Sequence, residues 1–339
     1  MLASRSIDFL TVLHGTNVLM VQLSPDQSLR GPNFTAPVGS DGGYIWWYLD
    51  AVSDDGKYGI TLIAFIGSVF SPYYAWSGWK NPFDHCAINV ALYRLDGAGG
   101  RWAMTERRAD QLDRSAHHFA VGPSSLQYTG GELVVDIFEV CVPIPSRLKG
   151  RIRLIPEVET QASFDLDLNG RHSWRPLAPK ARVELSFDSP DLSWSGDGYF
   201  DSNAGQEPLE RAFAHWHWGR AHRGDDLRLF YDVTNRSGPR RATFLKVSHD
   251  GTVSETAPTA QMRLGGTFWG IDREAWSDGP APARVIKTLE DTPFYARSAL
   301  QSQLEGESVL MMHETLNLDR LKMPIVRAML PFRMPRRFF

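Results

Sequence analysis

Short segments with β-strand character, separated by turn residues, recur along the chain and constrain its fold more than any other feature. Examples are residues 44–49, 58–66, 87–93 and 133–140, and a turn sequence such as Asp-Asp-Gly at 54–56 separates two of them. Patterns with helical periodicity are rare. Many short strands joined by Gly, Asn and Asp turns are typical of antiparallel proteins. We therefore predict an all-β fold built from barrels or sandwiches.

The length of the chain, 339 residues, is sufficient for two domains in tandem. Several prolines interrupt the strand pattern within residues 176–192, and we place the domain junction there. This prediction divides the chain into an N-terminal β domain, residues 1–185, and a C-terminal β domain, residues 186–339.

The charge and the motifs argue against several classes of function. The chain carries 36 Lys and Arg against 39 Asp and Glu, so it offers no positive field for nucleic acid. It has no Walker A sequence, no Gly-x-Ser-x-Gly elbow and no dinucleotide-binding glycine motif after a strand. His215 and His217 could bind a metal on a strand, but no third ligand of convincing spacing follows, and Cys86 and Cys141 fit buried, reduced thiols. We predict no metal and no cofactor, which leaves acid–base chemistry by side chains.

The ends of the chain bear on where the protein works. No hydrophobic run reaches the roughly 18 residues that span a bilayer, and residues 1–23 lack a clear signal-peptide cleavage site. Residues 318–339 form a tail that is apolar and basic with almost no acid. This tail fits contact with a membrane surface, with Arg side chains at the lipid head groups, or packing on the protein's own barrel. We expect a cytoplasmic protein that associates peripherally with a membrane.

Two pairs of residues stand out as candidates for chemistry. His172 and Trp174 are separated by one residue, and so are Tyr199 and Asp201. In a β-strand this spacing places both side chains of a pair on the same face. One face could then carry an imidazole, an indole, a phenol and a carboxylate, which are groups able to protonate an apolar molecule and shelter the resulting cation. The neighbouring residues Asp84 and His85 form an alternative acid–base pair.

Aromatic residues cluster in three further places. These clusters lie within residues 44–48, 70–83 and 215–218, and the chain has 11 Trp in all. An exposed aromatic loop is unfavourable in water, so the second cluster either covers a barrel mouth or contacts lipid, unless it packs inside the protein. The clusters favour a lining for a large apolar ligand.

With these residues in view, the chain resembles the carotenoid 1,2-hydratases, also called hydroxyneurosporene synthases. The similarity runs from about residue 25 to about residue 320. The segments that carry it are residues 31–34, 38–48, 70–78, 84–93, 101–107, 198–205 and 215–219. It therefore rests on many segments rather than on a single motif.

The resemblance implies a fold, a reaction and a set of residues. Members of the family add water across the terminal C1–C2 double bond of an acyclic carotenoid such as neurosporene or lycopene, without a cofactor, in phototrophic bacteria. They are related to two-domain lipocalin-like proteins. Their proposed catalytic set matches His172, Trp174, Tyr199 and Asp201 here. The expected partners are the carotenoid and the surface of the photosynthetic membrane, while the oligomeric state stays open.

The mechanism that we expect begins with a proton from Asp201, because an apolar pocket keeps a carboxyl group protonated. The indole of Trp174 would face the tertiary cation. His172 would position or deprotonate the attacking water and Tyr199 would hydrogen-bond Asp201 or the water, and these two roles could be exchanged. Two other functions stay open: a lipocalin-like carrier that performs no chemistry, and a cofactor-free isomerase or pericyclase.

Overall fold

The computed structural model describes residues 31–279 and 281–336. Strands dominate this part of the chain and every strand pair is antiparallel, so the predicted all-β class is confirmed. Residues 1–23, for which we predicted no signal peptide, lie outside the described residues, as does the end of the tail beyond residue 336.

The first sheet contains twelve strands from the first two thirds of the chain. They are β1 (Tyr44–Ser53), β2 (Tyr58–Ile66), β3 (Cys86–Arg94), β4 (Gly100–Arg107), β5 (Leu112–Ser115), β6 (His118–Val121), β7 (Ser124–Thr129), β8 (Glu132–Val140), β9 (Arg147–Val158), β10 (Phe164–Asp165), β11 (His172–Ser189) and β12 (Asp191–Gly205). Their order is β4-β3-β2-β1-β12-β11-β9-β8-β7-β6-β5, with β10 beside β11. The sheet curls until the backbone N–H of Val142, just after β8, donates to the carbonyl of Trp102 in β4, 3.1 Å away.

The second sheet has seven strands, and a two-stranded sheet stands apart from it. Within the described residues, the nine strands of these two sheets are β13 (Phe213–Arg223), β14 (Asp226–Asn235), β15 (Arg241–Val247), β16 (Val253–Glu255), β17 (Gln261–Leu264), β18 (Arg273–Trp276), β19 (Arg284–Asp291), β20 (Tyr295–Leu304) and β21 (Glu307–Asn317). The larger sheet has the order β16-β15-β14-β13-β21-β20-β19, and β17 pairs with β18. Helices are short: α1 (Pro72–Trp76), α2 (Leu209–Ala212), α3 (Leu318–Leu321), α4 (Pro324–Met329), and 3₁₀ turns at Pro82–Asp84, Ala109–Gln111 and Leu330–Phe332.

The boundary predicted at residue 185 falls inside β11, which continues to Ser189 and forms a hairpin with β12. The chain changes sheets later, between Gly205 and Phe213. Pro176 and Pro179 lie where the register between β11 and β12 shifts, and such irregularities tolerate a residue without a backbone N–H. The division into two domains itself stays a prediction.

Strand β1 is buried on both faces, and this explains how one site can form between two sheets. Trp47 and Leu49 point into the aliphatic core of the first sheet, whereas Trp46 and Tyr48 point toward the second sheet. Alternation with a period of two produces this division. Across the interface Trp46 stacks on Trp216, with ring centroids 5.5 Å apart. The sheets therefore meet through aromatic side chains.

The tail packs on the protein. Val326 and Met334 are buried. Two basic side chains pair with carboxylates of the protein: Arg327 with Glu210, and Arg336 Nη1 with Glu106 Oε1 at 3.3 Å. Within residues 31–279 and 281–336, no helix has the length and apolar character needed to cross a membrane.

Candidate functional site

A cavity of about 460 Å³ lies between the two sheets and is lined mainly by aromatic side chains. The rings come from both sheets: Trp46, Tyr48, Phe65, Trp216, Trp218 and Tyr231. Carboxyl groups line the cavity from both sheets: Asp201 from the first, and Glu290, Asp291 and Glu314 from the second. The loop before β18, the loop after β19 and the tail cover one side, where Trp269 and Phe332 line the cavity and also reach the surface. The cavity therefore combines an apolar lining with few ionisable groups.

Three of the four predicted site residues form one hydrogen-bonded cluster. Trp174 in β11 donates its indole N–H to Oδ2 of Asp201 at 2.9 Å. Tyr199, two residues before Asp201 in β12, donates its hydroxyl to the same oxygen at 2.6 Å. The spacing of the two residues does place them together, as a shared strand face requires.

The environment of Asp201 favours its protonated form. Burial raises its pKa to about 7 and outweighs the hydrogen bonds from Tyr199 and Trp174, which lower it, while the carboxylates of Glu314 and Asp50 raise it further. Both donors engage Oδ2, and Oδ1 has no hydrogen-bond partner in the described part of the chain. The proton therefore belongs on Oδ1, and Asp201 can donate it near neutral pH.

Trp174 lies behind Asp201 rather than on the cavity surface. It is fully buried, its ring packs against Tyr231 with centroids 4.7 Å apart, and it is not among the side chains that line the cavity. The indoles that do line the cavity include Trp46, Trp216 and Trp218. The role that we predicted for Trp174, facing a cation, therefore fits these three indoles better.

His172 occupies a different place from the cluster. Its Nδ1 lies 2.9 Å from the hydroxyl of Tyr44, and its ring meets Phe213 edge-on. Burial lowers its pKa and favours the neutral ring. It does not line the cavity, but Tyr44 stacks on Trp46, which does. His172 therefore supports the wall of the cavity from outside.

A buried ionic network, which the sequence analysis missed, joins the sheets beside the cavity. Arg297 in β20 is fully buried and donates to Asp50 and Tyr48 of β1 and to Glu314 of β21. Arg220 in β13 also donates to Asp50. A trace of this network in the sequence is the polar triplet at 313–315 within an apolar strand. The residues of the network lie far apart in sequence, so their spacing could not predict that they meet.

Each member of the alternative acid–base pair, Asp84 and His85, has a different charged side chain nearby. His85 Nδ1 lies 2.9 Å from Glu106 Oε1, while Asp84 lies 3.7 Å from Arg108.

His217, a residue considered as a metal ligand, has its Nδ1 3.1 Å from the hydroxyl of Thr315. Among the described residues, no group of three or more His, Cys, Asp or Glu side chains could hold a metal ion. Cys86 and Cys141 are both free and buried, as predicted.

The family of the chain follows from comparison with known proteins. The model of the family "Carotenoid hydratase CrtC" matches residues 62–339. The chain belongs to the carotenoid hydratase family. The acyclic carotenoid 1,2-hydratase of Thiocapsa roseopersicina is 49% identical over 311 residues, which cover 91% of this chain and 76% of that protein. The enzyme of the same name from Rhodobacter capsulatus is 40% identical over 278 residues, 81% of this chain and 98% of that protein. The predicted family and hydro-lyase class are confirmed.

Solved structures of distant proteins share the fold. A putative AttH from Nitrosomonas europaea superposes with a TM-score of 0.57 at 13% identity, covering 85% of this chain and 99% of that one. The structure of CghA with Sch210972 gives a TM-score of 0.52 at 14% identity, covering 84% and 94%. At such low identity the similarity concerns the fold alone, and it confirms the predicted lipocalin-like class.

Proposed function

We propose that this protein hydrates the terminal C1–C2 double bond of an acyclic carotenoid such as neurosporene or lycopene, giving a tertiary alcohol. The observation that carries the proposal is a carboxyl group, Asp201, that has a pKa of about 7 and an unpartnered Oδ1 in an aromatic cavity. Protonation of an isolated alkene requires an acid that still carries its proton near neutral pH. Burial in an apolar site keeps a carboxyl group in this protonated form. The family of the chain supports the substrate class.

The size of the cavity suits one end of a carotenoid. Its volume of about 460 Å³ falls within the range of pockets that enclose a drug-sized molecule. A C40 polyene is much longer, so only its terminal isoprene units would enter, and the rest would extend past Trp269 and Phe332 to the surface. This geometry favours reaction at a terminal double bond.

In the proposed mechanism, Oδ1 of Asp201 transfers its proton to C2 and the positive charge develops at C1. The indoles that line the cavity shelter this cation, and contact with an aromatic face stabilises a desolvated cation by up to about 2 kcal/mol. Tyr199 and Trp174 donate to Oδ2 and so stabilise the carboxylate that remains. Water then adds to C1 and loses a proton, and Asp201 is reprotonated from solvent.

The roles of the other predicted residues follow from their positions. Tyr199 and Trp174 position the carboxyl group of Asp201 through their hydrogen bonds. His172 positions Tyr44, and Tyr44 in turn supports the ring of Trp46. In this proposal His172 does not activate the water, because it does not line the cavity.

The proposal also includes docking at a membrane surface on the cytoplasmic side, because a carotenoid is insoluble in water. Apolar side chains are exposed around the covered side of the cavity: Phe268 is 93% exposed, Phe332 77% and Ile325 63%. These residues lie on the loop before β18 and on the tail, both of which contribute to the cavity wall. A carotenoid could then pass from lipid into the cavity without crossing water.

Vesicle flotation tests the docking surface. Phe268→Ser with Ile325→Ser should weaken binding to vesicles of anionic and neutral phospholipid, while Leu168→Ser, an exposed leucine on the loop between β10 and β11, should not. Equal flotation of all three proteins would contradict this surface.

The reaction is tested by incubating the purified protein with neurosporene or lycopene in ¹⁸O-labelled water and identifying the products by mass spectrometry. A labelled hydroxyl group at C1 is expected. Binding of the carotenoid without a change in mass would instead support a carrier or an isomerase.

A further inference from the structure

Glu314 reaches the same cavity as Asp201 from the other sheet. It lies on β21, and its side chain is 16% exposed, so it has access to the cavity space. Its Oε1 accepts hydrogen bonds from the hydroxyl of Tyr48, at 2.7 Å, and from Arg297. No hydrogen bond engages Oε2 within the described part of the chain. Tyr48 is also the cross-strand neighbour of Asp201 in the register of β1 and β12, and the charge of Glu314 raises the pKa of Asp201.

The charges around Glu314 differ from those around Asp201. Arg297 contacts Glu314 and Asp50, and Arg220 contacts Asp50, so two guanidinium groups balance two carboxylates. Burial raises the pKa of Glu314, and the charge of Arg297 together with the hydrogen bond from Tyr48 opposes this. Asp201 has no cationic partner in the described structure. One wall of the cavity therefore holds a neutral acid and the other holds a paired carboxylate.

We propose that Glu314 binds the attacking water through Oε2 and accepts its proton. This inference rests on the proposed hydration. As the water oxygen bonds to C1 of the cation, one O–H bond breaks and its proton passes to Glu314, leaving the neutral alcohol. Glu314 then returns the proton to solvent. A protonated alcohol is far more acidic than any carboxylic acid, so even a carboxylate with two hydrogen-bond donors is a sufficient base.

Other cavity groups fit this role less well. His172 and Tyr199 are fully buried outside the lining. Glu290 does line the cavity, but its Oε1 accepts from Tyr93 and it forms no ion pair among the described residues. Burial raises the pKa of both Glu290 and Glu314, so the ion pair with Arg297 is what distinguishes Glu314. Of the three carboxyl groups compared, Asp201, Glu290 and Glu314, Glu314 is the one that forms an ion pair within the described residues.

The test compares Glu314→Ala and Glu314→Gln with Asp201→Asn and with Glu139→Gln, each with and without sodium azide. Glu139 is a matched control because it is a buried glutamate, paired with Arg107 at 2.9 Å, that does not line the cavity. Azide attacks a cation without needing a base. Products are identified by mass spectrometry, and carotenoid binding is measured by absorbance.

If Glu314 is the base, both of its variants should bind carotenoid and lose hydration by roughly 10²–10⁴-fold, a typical contribution of general base catalysis. Azide should restore turnover of Glu314→Ala by giving a 1-azido product, while Asp201→Asn gives no product in either condition. The residual activity of Glu314→Gln should also lose its decline at acidic pH, because no base remains to be protonated.

Other outcomes would overturn the inference. Hydration by Glu314→Ala at the rate of Glu139→Gln would do so, and so would binding of carotenoid by Glu314→Ala without an azide adduct. If Glu314→Ala does not fold, an unchanged acidic limb in Glu314→Gln contradicts the inference by itself. Failure of the wild-type protein to hydrate any acyclic carotenoid would instead refute the proposed function, and the inference would fall with it.

Discussion

The two walls of the cavity carry the same chemical group in opposite surroundings. Asp201, on the first sheet, receives hydrogen bonds from an indole and a phenol and has no cationic partner among the described residues, and burial raises its pKa to about 7. Glu314, on the second sheet, contacts the guanidinium of Arg297. Burial raises the pKa of both groups, and the cationic partner of Glu314 is what favours its charged form relative to Asp201.

Removing the acid should have the largest effect. Asp201→Asn keeps the shape of the side chain but cannot donate a proton to an alkene, so we expect hydration to fall by about 10²–10⁴-fold. Carotenoid binding, followed by the absorption spectrum, should remain. Activity within tenfold of the wild type would show that the two walls do not differ as described.

Removing the cation from the other wall should mainly affect stability. Arg297→Met leaves Asp50 and Glu314 without their shared partner in a buried site, and breaking such a pair typically costs about 3–5 kcal/mol. The free energy of unfolding is measured by urea titration. Arg151→Met is the control, since its partner Asp136 is exposed and the loss should be below about 1 kcal/mol. Equal losses would contradict the buried network.

The pKa of Asp201 also predicts a dependence of stability on pH. The folded protein holds this proton up to about pH 7, whereas the unfolded chain releases it near the ordinary aspartate pKa of 3.8. Between these values the folded state binds more protons, so stability falls as pH rises, by on the order of 3 kcal/mol from pH 4 to 7. Asp201→Asn should lack this part of the pH dependence in urea titrations at several pH values. Parallel curves for the two proteins would argue against a raised pKa.

A smaller effect is expected when one donor to Asp201 is removed. Trp174→Phe keeps the buried ring but removes the N–H that bonds Oδ2. The carboxylate form loses a stabilising contact, so the pKa of Asp201 should rise and the alkaline decline of activity should move to higher pH. The expected loss of stability is about 1 kcal/mol. Trp47→Phe is the control. Trp47 points into the aliphatic core of the first sheet, so its substitution should leave the pH profile unchanged.

The sequence predicted the fold class and the cluster at Asp201 because both depend on local patterns. Alternation along strands and a spacing of two residues are enough to place Tyr199 beside Asp201. The same spacing did not bring His172 to the cavity, because two residues along a strand cover roughly 6–7 Å. At that distance along β11 its neighbour is Tyr44 instead.

Contacts between distant parts of the chain were beyond the reach of the sequence. Asp50 and Arg297 meet only because β1 of one sheet faces β20 of the other. The basic tail looked suited to lipid head groups, yet Arg327 and Arg336 pair with carboxylates of the protein. The sequence supplies the charges, and the packing of the sheets decides which of them are neutralised.

The protonation of Asp201 is the central claim, and infrared difference spectroscopy tests it most directly. The C=O stretch of a protonated carboxyl group is recorded from pH 4 to 9 in the wild type and in Asp201→Asn. We predict a band that is absent from the variant and disappears with a midpoint near pH 7, in agreement with the pKa of about 7. Loss of that band near pH 4, or no difference between the two proteins, would contradict the account.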